Sequence, residues 1–152
     1  RFKHPPEASV TQTRAEGGAV FVCGGFNGPR QFAASAVVEE DIYIAGGCAA
    51  SILSSNCATL RSMERFSTRA GAWTSLPSML EPRAIAAMTS LKGTLYISGG
   101  CNGCHGEDEV LASMERFAPD LGVWNGVFAL PWKCVYGAHA VHGDRLYLCG
   151  GS

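Results

Sequence analysis

Residues 94–100 read Thr-Leu-Tyr-Ile-Ser-Gly-Gly, and this stretch decides the fold because the chain contains further copies of it. Asp-Ile-Tyr-Ile-Ala-Gly-Gly occupies residues 41–47, and Arg-Leu-Tyr-Leu-Cys-Gly-Gly occupies residues 145–151. A looser version, Ala-Val-Phe-Val-Cys-Gly-Gly, occupies residues 19–25. Short apolar runs that are rich in aromatic and β-branched residues and are closed by glycine predict β-strands. The four runs therefore predict four equivalent strands.

Other residues recur with these runs at a fixed interval. The recurring features are a glycine pair, a Ser-Met-Glu-Arg-Phe segment and a tryptophan, found at Gly99 and Gly150, residues 62–66 and 113–117, and Trp73 and Trp124. Each copy lies 51 positions after the one before it, and the earlier interval from Gly46 to Gly99 is 53. A period near ~50 residues is typical of repeat folds in which each unit is one supersecondary element.

Each repeat unit predicts four short antiparallel strands. A run of small residues such as Ala84 to Ala87 precedes the glycine-closed strand, and small side chains in a strand permit another backbone to approach closely. A tight turn such as Leu91-Lys92-Gly93 joins these two strands as a hairpin. The third strand carries Met-Glu-Arg-Phe, and the fourth carries the tryptophan. We therefore expect an all-β chain.

The repeat also sets the expected domain limits. Two complete units are predicted over residues 31–76 and 83–127, and two half-units over residues 17–25 and 134–151. The polar segment 1–16, which contains two consecutive prolines, is expected to be a flexible N-terminal linker.

Composition excludes several classes of partner. The chain is 47% hydrophobic and 16% charged, with a net charge of −1 and no run of Lys or Arg, which argues against nucleic acid and anionic membranes as partners. No apolar stretch approaches the ~20 residues that a membrane-spanning helix needs. Seven cysteines are an odd number for a disulfide framework, so we expect reduced thiols and a cytoplasmic location.

One segment carries a motif with several chemical meanings. Cys101, Cys104 and His105 match Cys-x-x-Cys-His, the attachment pattern of haem c, although the exported, helix-rich setting of such proteins is not evident here. Zinc would need a fourth ligand, such as Glu107 or Asp108. A redox-active thiol pair is a third alternative. We expect an exposed loop with reduced cysteines, and hence no catalytic, cofactor or metal site, with these alternatives left open.

The repeat unit resembles the kelch repeat, one blade of a β-propeller. Three double glycines in register with Trp73 and Trp124 carry the resemblance, which covers residues 17–152. Met-Glu-Arg-Phe stands where the family usually has Val-Glu-Arg-Tyr, and Cys134 stands where the other units have arginine. The resemblance implies a partial propeller of about three four-stranded blades whose ring is not closed.

The resemblance also implies a function. Kelch propellers of this style commonly recognise substrates in BTB-kelch adaptors of cullin-RING ubiquitin ligases, where a peptide lies on loops at one end of the propeller. This predicts a protein-binding module rather than an enzyme; an actin-binding kelch protein and, more remotely, a copper oxidase of the galactose-oxidase type are alternatives. Residues after the glycine pairs, and arginines that could grip acidic peptides, are the binding candidates: Phe26, Arg30, Cys48, Arg83, Cys101 and Ser152.

Overall fold

The computed structural model describes residues 10–15, 18–23, 30–49, 58–103 and 110–151, and every regular element among them is a β-strand. The strands, in chain order, are β1 (Val10–Ala15), β2 (Gly18–Cys23), β3 (Ala34–Val38), β4 (Asp41–Ala45), β5 (Met63–Ser67), β6 (Ala72–Leu76), β7 (Ala87–Leu91), β8 (Thr94–Ser98), β9 (Met114–Ala118), β10 (Val123–Gly126), β11 (Ala138–His142) and β12 (Arg145–Cys149).

The strands form four antiparallel sheets in simple chain order. β3 to β6 make one four-stranded sheet and β7 to β10 make another, while β1–β2 and β11–β12 are two-stranded hairpins. Equivalent positions pair in the same register: Ile44 lies opposite Glu64, and Ile97 lies opposite Glu115. The four-strand prediction is therefore confirmed for both complete units.

The N-terminal region differs from the expected linker. Val10–Ala15 forms β1, which pairs with β2 along its whole length from Val10 opposite Cys23 to Ala15 opposite Gly18. The prediction extended the proline-containing start of the chain into a segment of Val and Thr residues, and these favour a pleated strand.

Three of the four sheets, those that begin with β3, β7 and β11, pack side by side through these first strands. β7 contacts β3 on one side and β11 on the other. The small residues Ala34, Ala36 and Ala86 lie in this packing, and Leu95 and Ile97 behind them are 0% exposed. The sheets therefore lie as neighbouring blades around a common inner edge, which is the arrangement of a partial propeller.

A tryptophan of the second sheet forms a hydrogen bond to the first sheet. Trp124 of β10 packs on Phe117 with ring centroids 5.1 Å apart, and its indole Nε1 donates to the Pro77 carbonyl at the end of the first sheet, at 2.8 Å. Trp73 and Phe66 repeat the ring contact at 5.2 Å in the first sheet. The recurring tryptophan thus supplies apolar contact within a blade and, at Trp124, a hydrogen bond between blades.

Two glycine pairs, Gly46–Gly47 and Gly99–Gly100, lie where one sheet meets the chain that begins the next. A Cβ on Gly46 would lie 2.2 Å from the Arg83 carbonyl oxygen, and one on Gly99 would lie 2.2 Å from that of Cys134. Both glycines also have a positive φ, at 68° and 62°. Only glycine satisfies the close approach and the backbone conformation together.

Candidate functional site

Arg83, one of the predicted partner contacts, is buried. Its Nη1 donates to the carbonyl oxygens of Gly99 at 2.8 Å and Ser113 at 3.1 Å, and its Nη2 donates to the Ser113 hydroxyl at 2.7 Å. The side chain is 0% exposed. Arg83 therefore has a structural role, because its donors are used inside the second sheet, and its contact with a partner stays a prediction.

Glu115 on β9 forms an ion pair with Arg83. Its Oε1 accepts from Arg83 Nε at 3.1 Å and Nη2 at 3.0 Å. The same carboxylate accepts the backbone N–H groups of Leu80 at 2.6 Å and Glu81 at 3.2 Å, and the residue is 2% exposed. Glu115 thus joins the segment between the two complete sheets to the second of them.

Arg30 occupies the same place in the first complete unit. It donates to the carbonyl oxygens of Gly46 at 3.2 Å and Ser62 at 2.9 Å, and it lies 3.4 Å from the Glu64 carboxylate. Burial lowers the pKa of the Arg30 guanidinium, and the charge of Glu64 opposes that shift. The side chain is 13% exposed, so Arg30 is also a structural residue, in a looser copy of the same arrangement.

Cys48 and Cys101, predicted as partner contacts, are buried at 3% and 8% exposure. Cys48 bridges Gln31 and Thr59 through the backbone, and Cys101 forms the equivalent bridge to Ala84. The two cysteines therefore tie the loops after the glycine pairs to the inner strands and offer little surface to a partner.

The structure does not describe the other residues that the sequence analysis singled out. Phe26, Ser152, Cys104 and His105 lie outside the described residues. Among the residues that the structure does describe, no group of three or more His, Cys, Asp or Glu side chains is placed to hold a metal ion. Within the same ranges, no helix is long and apolar enough to span a membrane.

Three residues missed by the sequence analysis lie on the same end of the molecule as these loops. We call Phe32, Ile85 and Tyr136 the mouth residues, because each lies directly before two small residues at the same place in its unit, just ahead of or at the start of the inner strand. Phe32 is 50% exposed, Tyr136 is 71% exposed and Ile85 is half-buried. The Ile85 N–H donates to the Phe32 carbonyl at 3.1 Å, which places two of them side by side.

The mouth residues share an unfavourable backbone conformation. Their φ angles are 56°, 57° and 56° in chain order, in the left-handed region that bulky L-residues rarely adopt. Each such residue costs roughly 1–3 kcal/mol, and such strain clusters at functional sites. The detectable signal was a bulky residue at one fixed repeat position beside small ones.

The repeat unit matches a known family. A family model for the Kelch motif matches residues 29–80, which cover the first complete sheet and the chain that leads to the second. The chain is a segment of kelch repeats. It is 30% identical to human (Homo sapiens) Kelch-like protein 33 over 118 residues, covering 78% of this chain and 21% of that protein.

Two further similarities agree with this family. Spermatocyte protein spe-26 of Caenorhabditis elegans is 28% identical over 131 residues, covering 85% of this chain and 22% of that protein. The solved structure of YjhT superimposes with a TM-score of 0.66 at 23% identity, covering 82% of this chain and 34% of that one. The chain thus spans about one fifth of the curated relatives that it matches.

One histidine links two kelch units. His139 on β11 lies 2.6 Å from the Ser98 hydroxyl on β8, measured from Nε2, and its Nδ1 is buried with no hydrogen-bond partner. Burial lowers the pKa of His139 to about 4. The histidine is therefore neutral near pH 7 and contributes to the contact between neighbouring blades.

Proposed function

We propose that this kelch segment binds a protein partner on its loop face, through the mouth residues. The observation that carries the proposal is the coincidence of exposure and backbone strain at the aromatic residues Phe32 and Tyr136; Ile85 shares the strain but is half-buried. A side chain that is half or more exposed is not needed to fill the core. The free-energy cost of its backbone conformation therefore has to be offset by another contact. Contact with a partner would provide that compensation.

The chemistry of the mouth favours an apolar or aromatic partner segment over an acidic one. The arginines that would attract carboxylates are committed to internal acceptors, at Ser62 and Gly46 for Arg30 and at Ser113 and Gly99 for Arg83. Phe32 and Tyr136 instead present large rings to solvent, and aromatic residues are enriched at the centres of protein interfaces. We therefore expect binding dominated by burial of apolar surface.

For the polypeptide that carries this segment, we propose a role as a cytoplasmic substrate-recognition subunit of a cullin-RING ubiquitin ligase. The similarity to kelch-like proteins supports this assignment, and cullin contact would be made by a domain outside this chain. The internal use of the buried charged groups supports a binding function rather than a catalytic one.

The test compares the native polypeptide with a Phe32→Ser/Tyr136→Ser variant, each purified from cells with its bound proteins. We expect a cullin with both forms, and one or more substrate proteins with the native form only. Retention of every bound protein by the variant would refute the mouth as the binding site. Absence of a cullin from both samples would refute the ligase role and leave the mouth proposal to be judged by the variant.

A further inference from the structure

The segment between the two complete sheets contains a carboxylate that the fold does not need. Glu81 lies four positions before the mouth residue Ile85. The equivalent residue is Gly28 in the first unit and Trp132 in the third. The first unit nevertheless holds its arginine in place, since Arg30 makes the equivalent bonds to backbone carbonyls there. A carboxylate at this position is therefore dispensable for the arrangement around the arginine.

Glu81 gives the second unit one carboxylate more than its guanidinium can balance. Arg83 lies 3.0 Å from Glu115 and 2.9 Å from Glu81, so two negative groups share a single positive one. In the first unit one carboxylate, that of Glu64, lies beside Arg30. The side chains of Arg83 and Glu115 are 0% and 3% exposed, whereas that of Glu81 is 46% exposed. The excess negative charge of the second unit therefore lies at the surface.

The Glu81 side chain is held in place with one oxygen left for a partner. Its Oε2 accepts from Arg83 Nη2 at 2.9 Å and from the Ser113 hydroxyl, and its backbone N–H donates to Glu115 at 3.2 Å. Among the described residues, no group donates to Oε1. A cation that binds Oε1 therefore meets a carboxylate that is already ordered, which lowers the entropic cost of the contact.

Two further exposed residues belong to this surface. Leu80 is 55% exposed and its N–H donates to Glu115 at 2.6 Å, so an apolar side chain stands next to the charge along the chain. Arg61 is exposed, and its carbonyl accepts the Met79 N–H at 2.8 Å, which brings its backbone to the same segment. Arg61 is in no ion pair within the described part of the chain, so Arg83 is the only cation paired with Glu81 there.

Glu81 is near enough to the mouth for one partner segment to contact both. Four residues of fully extended chain span at most about 14 Å, so the Cα atoms of Glu81 and Ile85 are no farther apart than that. The Ile85 N–H donates to the Phe32 carbonyl at 3.1 Å, so one of the exposed aromatic residues is adjacent. An extended peptide with an apolar side chain on Ile85 or Phe32 can therefore place a residue about four positions away on Glu81.

We propose that Glu81 is a specificity-determining residue, which selects a partner segment with a lysine or arginine within about four residues of the apolar side chain that contacts the mouth. This inference rests on the proposed binding of a protein partner at the mouth. Opposite charges across an interface guide association and exclude partners of like charge. The contact also orients the segment, because Gly28 and Trp132 supply no charge at the equivalent positions.

The experiment selects a phage-displayed library of random peptides on three forms of the polypeptide that carries this segment: native, Glu81→Gln and Glu81→Lys. Peptides that also bind a Phe32→Ser/Tyr136→Ser variant are discarded, which confines the comparison to the mouth. We expect the native form to enrich peptides with a lysine or arginine within about four residues of an apolar or aromatic one. Glu81→Gln should keep the apolar preference and lose the basic one, and Glu81→Lys should favour an acidic residue in its place.

A selected basic peptide then gives the magnitude by fluorescence anisotropy. We expect Glu81→Gln to weaken its binding about fivefold at low salt, the upper end for an exposed ion pair, and by less above about 0.15 M salt, where screening is stronger. Glu64→Gln is the matched control, because that carboxylate is 34% exposed beside Arg30, and we expect it to leave the affinity unchanged. The melting temperature of Glu81→Gln should stay close to the native value, since Arg83 retains Glu115.

The outcomes separate this inference from the proposed function. Apolar peptides selected without a basic residue, or with a basic preference that Glu81→Gln leaves unchanged, would overturn the role of Glu81 and leave the mouth as the binding site. An acidic preference of the native form, or a marked fall in the melting temperature of Glu81→Gln, would overturn that role as well. If no peptide distinguishes the native form from the Phe32→Ser/Tyr136→Ser variant, the mouth is not the binding site and both proposals fail.

Discussion

Replacing Glu115 with glutamine should strongly destabilise the chain, although the two side chains have the same shape. One carboxylate oxygen accepts from the Leu80 N–H and the other from the Arg83 guanidinium. Whichever way the glutamine amide is turned, its NH2 group faces a donor that it cannot accept from. Arg83 then keeps only the Glu81 carboxylate as its charged partner, and the side chain of Glu81 is 46% exposed.

The expected magnitude follows from this burial. Breaking a buried ion pair by removing one charge costs about 3–5 kcal/mol. For a chain of this size, each kcal/mol shifts the melting temperature by about 2–4 °C, so the midpoint should fall by about 6–20 °C. Urea denaturation followed by tryptophan fluorescence, together with a thermal scan, would measure both quantities.

The chain contains its own control at the equivalent position of the first unit. Glu64 lies 3.4 Å from Arg30, and its side chain is 34% exposed. Partly exposed ion pairs contribute about 0–1 kcal/mol, so Glu64→Gln should shift the midpoint by less than about 4 °C. If the two variants lose the same stability, the buried contacts of Glu115 do not carry the energy assigned to them here.

Three further outcomes are expected. Gly99→Ala should prevent or severely weaken folding, because its Cβ would lie 2.2 Å from the Cys134 carbonyl oxygen, while Gly122→Ala, with a similar φ of 64° and no atom within 4 Å, should cost only about 1 kcal/mol by chemical denaturation. The free energy of unfolding should fall as the pH drops from about 6.5 to about 4, because the folded-state pKa of His139, about 4, is below its unfolded value and the unfolded chain binds the proton first; His139→Gln should flatten this dependence. Tyr136→Gly should leave the melting temperature unchanged or raise it, since glycine adopts a φ of 56° without strain, while it weakens partner binding in a pull-down; a clear loss of stability would contradict the strain argument.

The fold was predictable because its signal is periodic. Glycine pairs, a tryptophan and Met-Glu-Arg-Phe recur together, and a constant spacing of many residues can arise only if the units are alike. β1 was missed because it precedes the first glycine pair, in a repeat unit that is shorter than the others. The sequence analysis therefore found no second copy of this strand with which to compare it. Composition there suggested a linker, and strand pairing with β2 overrode it.

The binding candidates were harder to predict because sequence does not show the direction of a side chain. Arg83 and Glu115 are 32 positions apart, and only the folded blade brings them into contact. A recurring arginine has the same signature whether it faces solvent or a buried carboxylate. The mouth residues carried a weaker signal, since Phe32, Ile85 and Tyr136 share a position without sharing a residue type.

The contact between blades relies on a main-chain acceptor, so it does not depend on the side chain of the residue that supplies this acceptor. Gly47 and Gly100 each donate to the carbonyl of the residue that starts the following unit, once an arginine and once a cysteine, at the same length of 2.7 Å. Every amino acid supplies that carbonyl, so substitution at this position keeps the hydrogen bond between blades while it changes the side chain beside it. Units of this kind can therefore differ at this position and still make the same contact, provided that the glycine is kept.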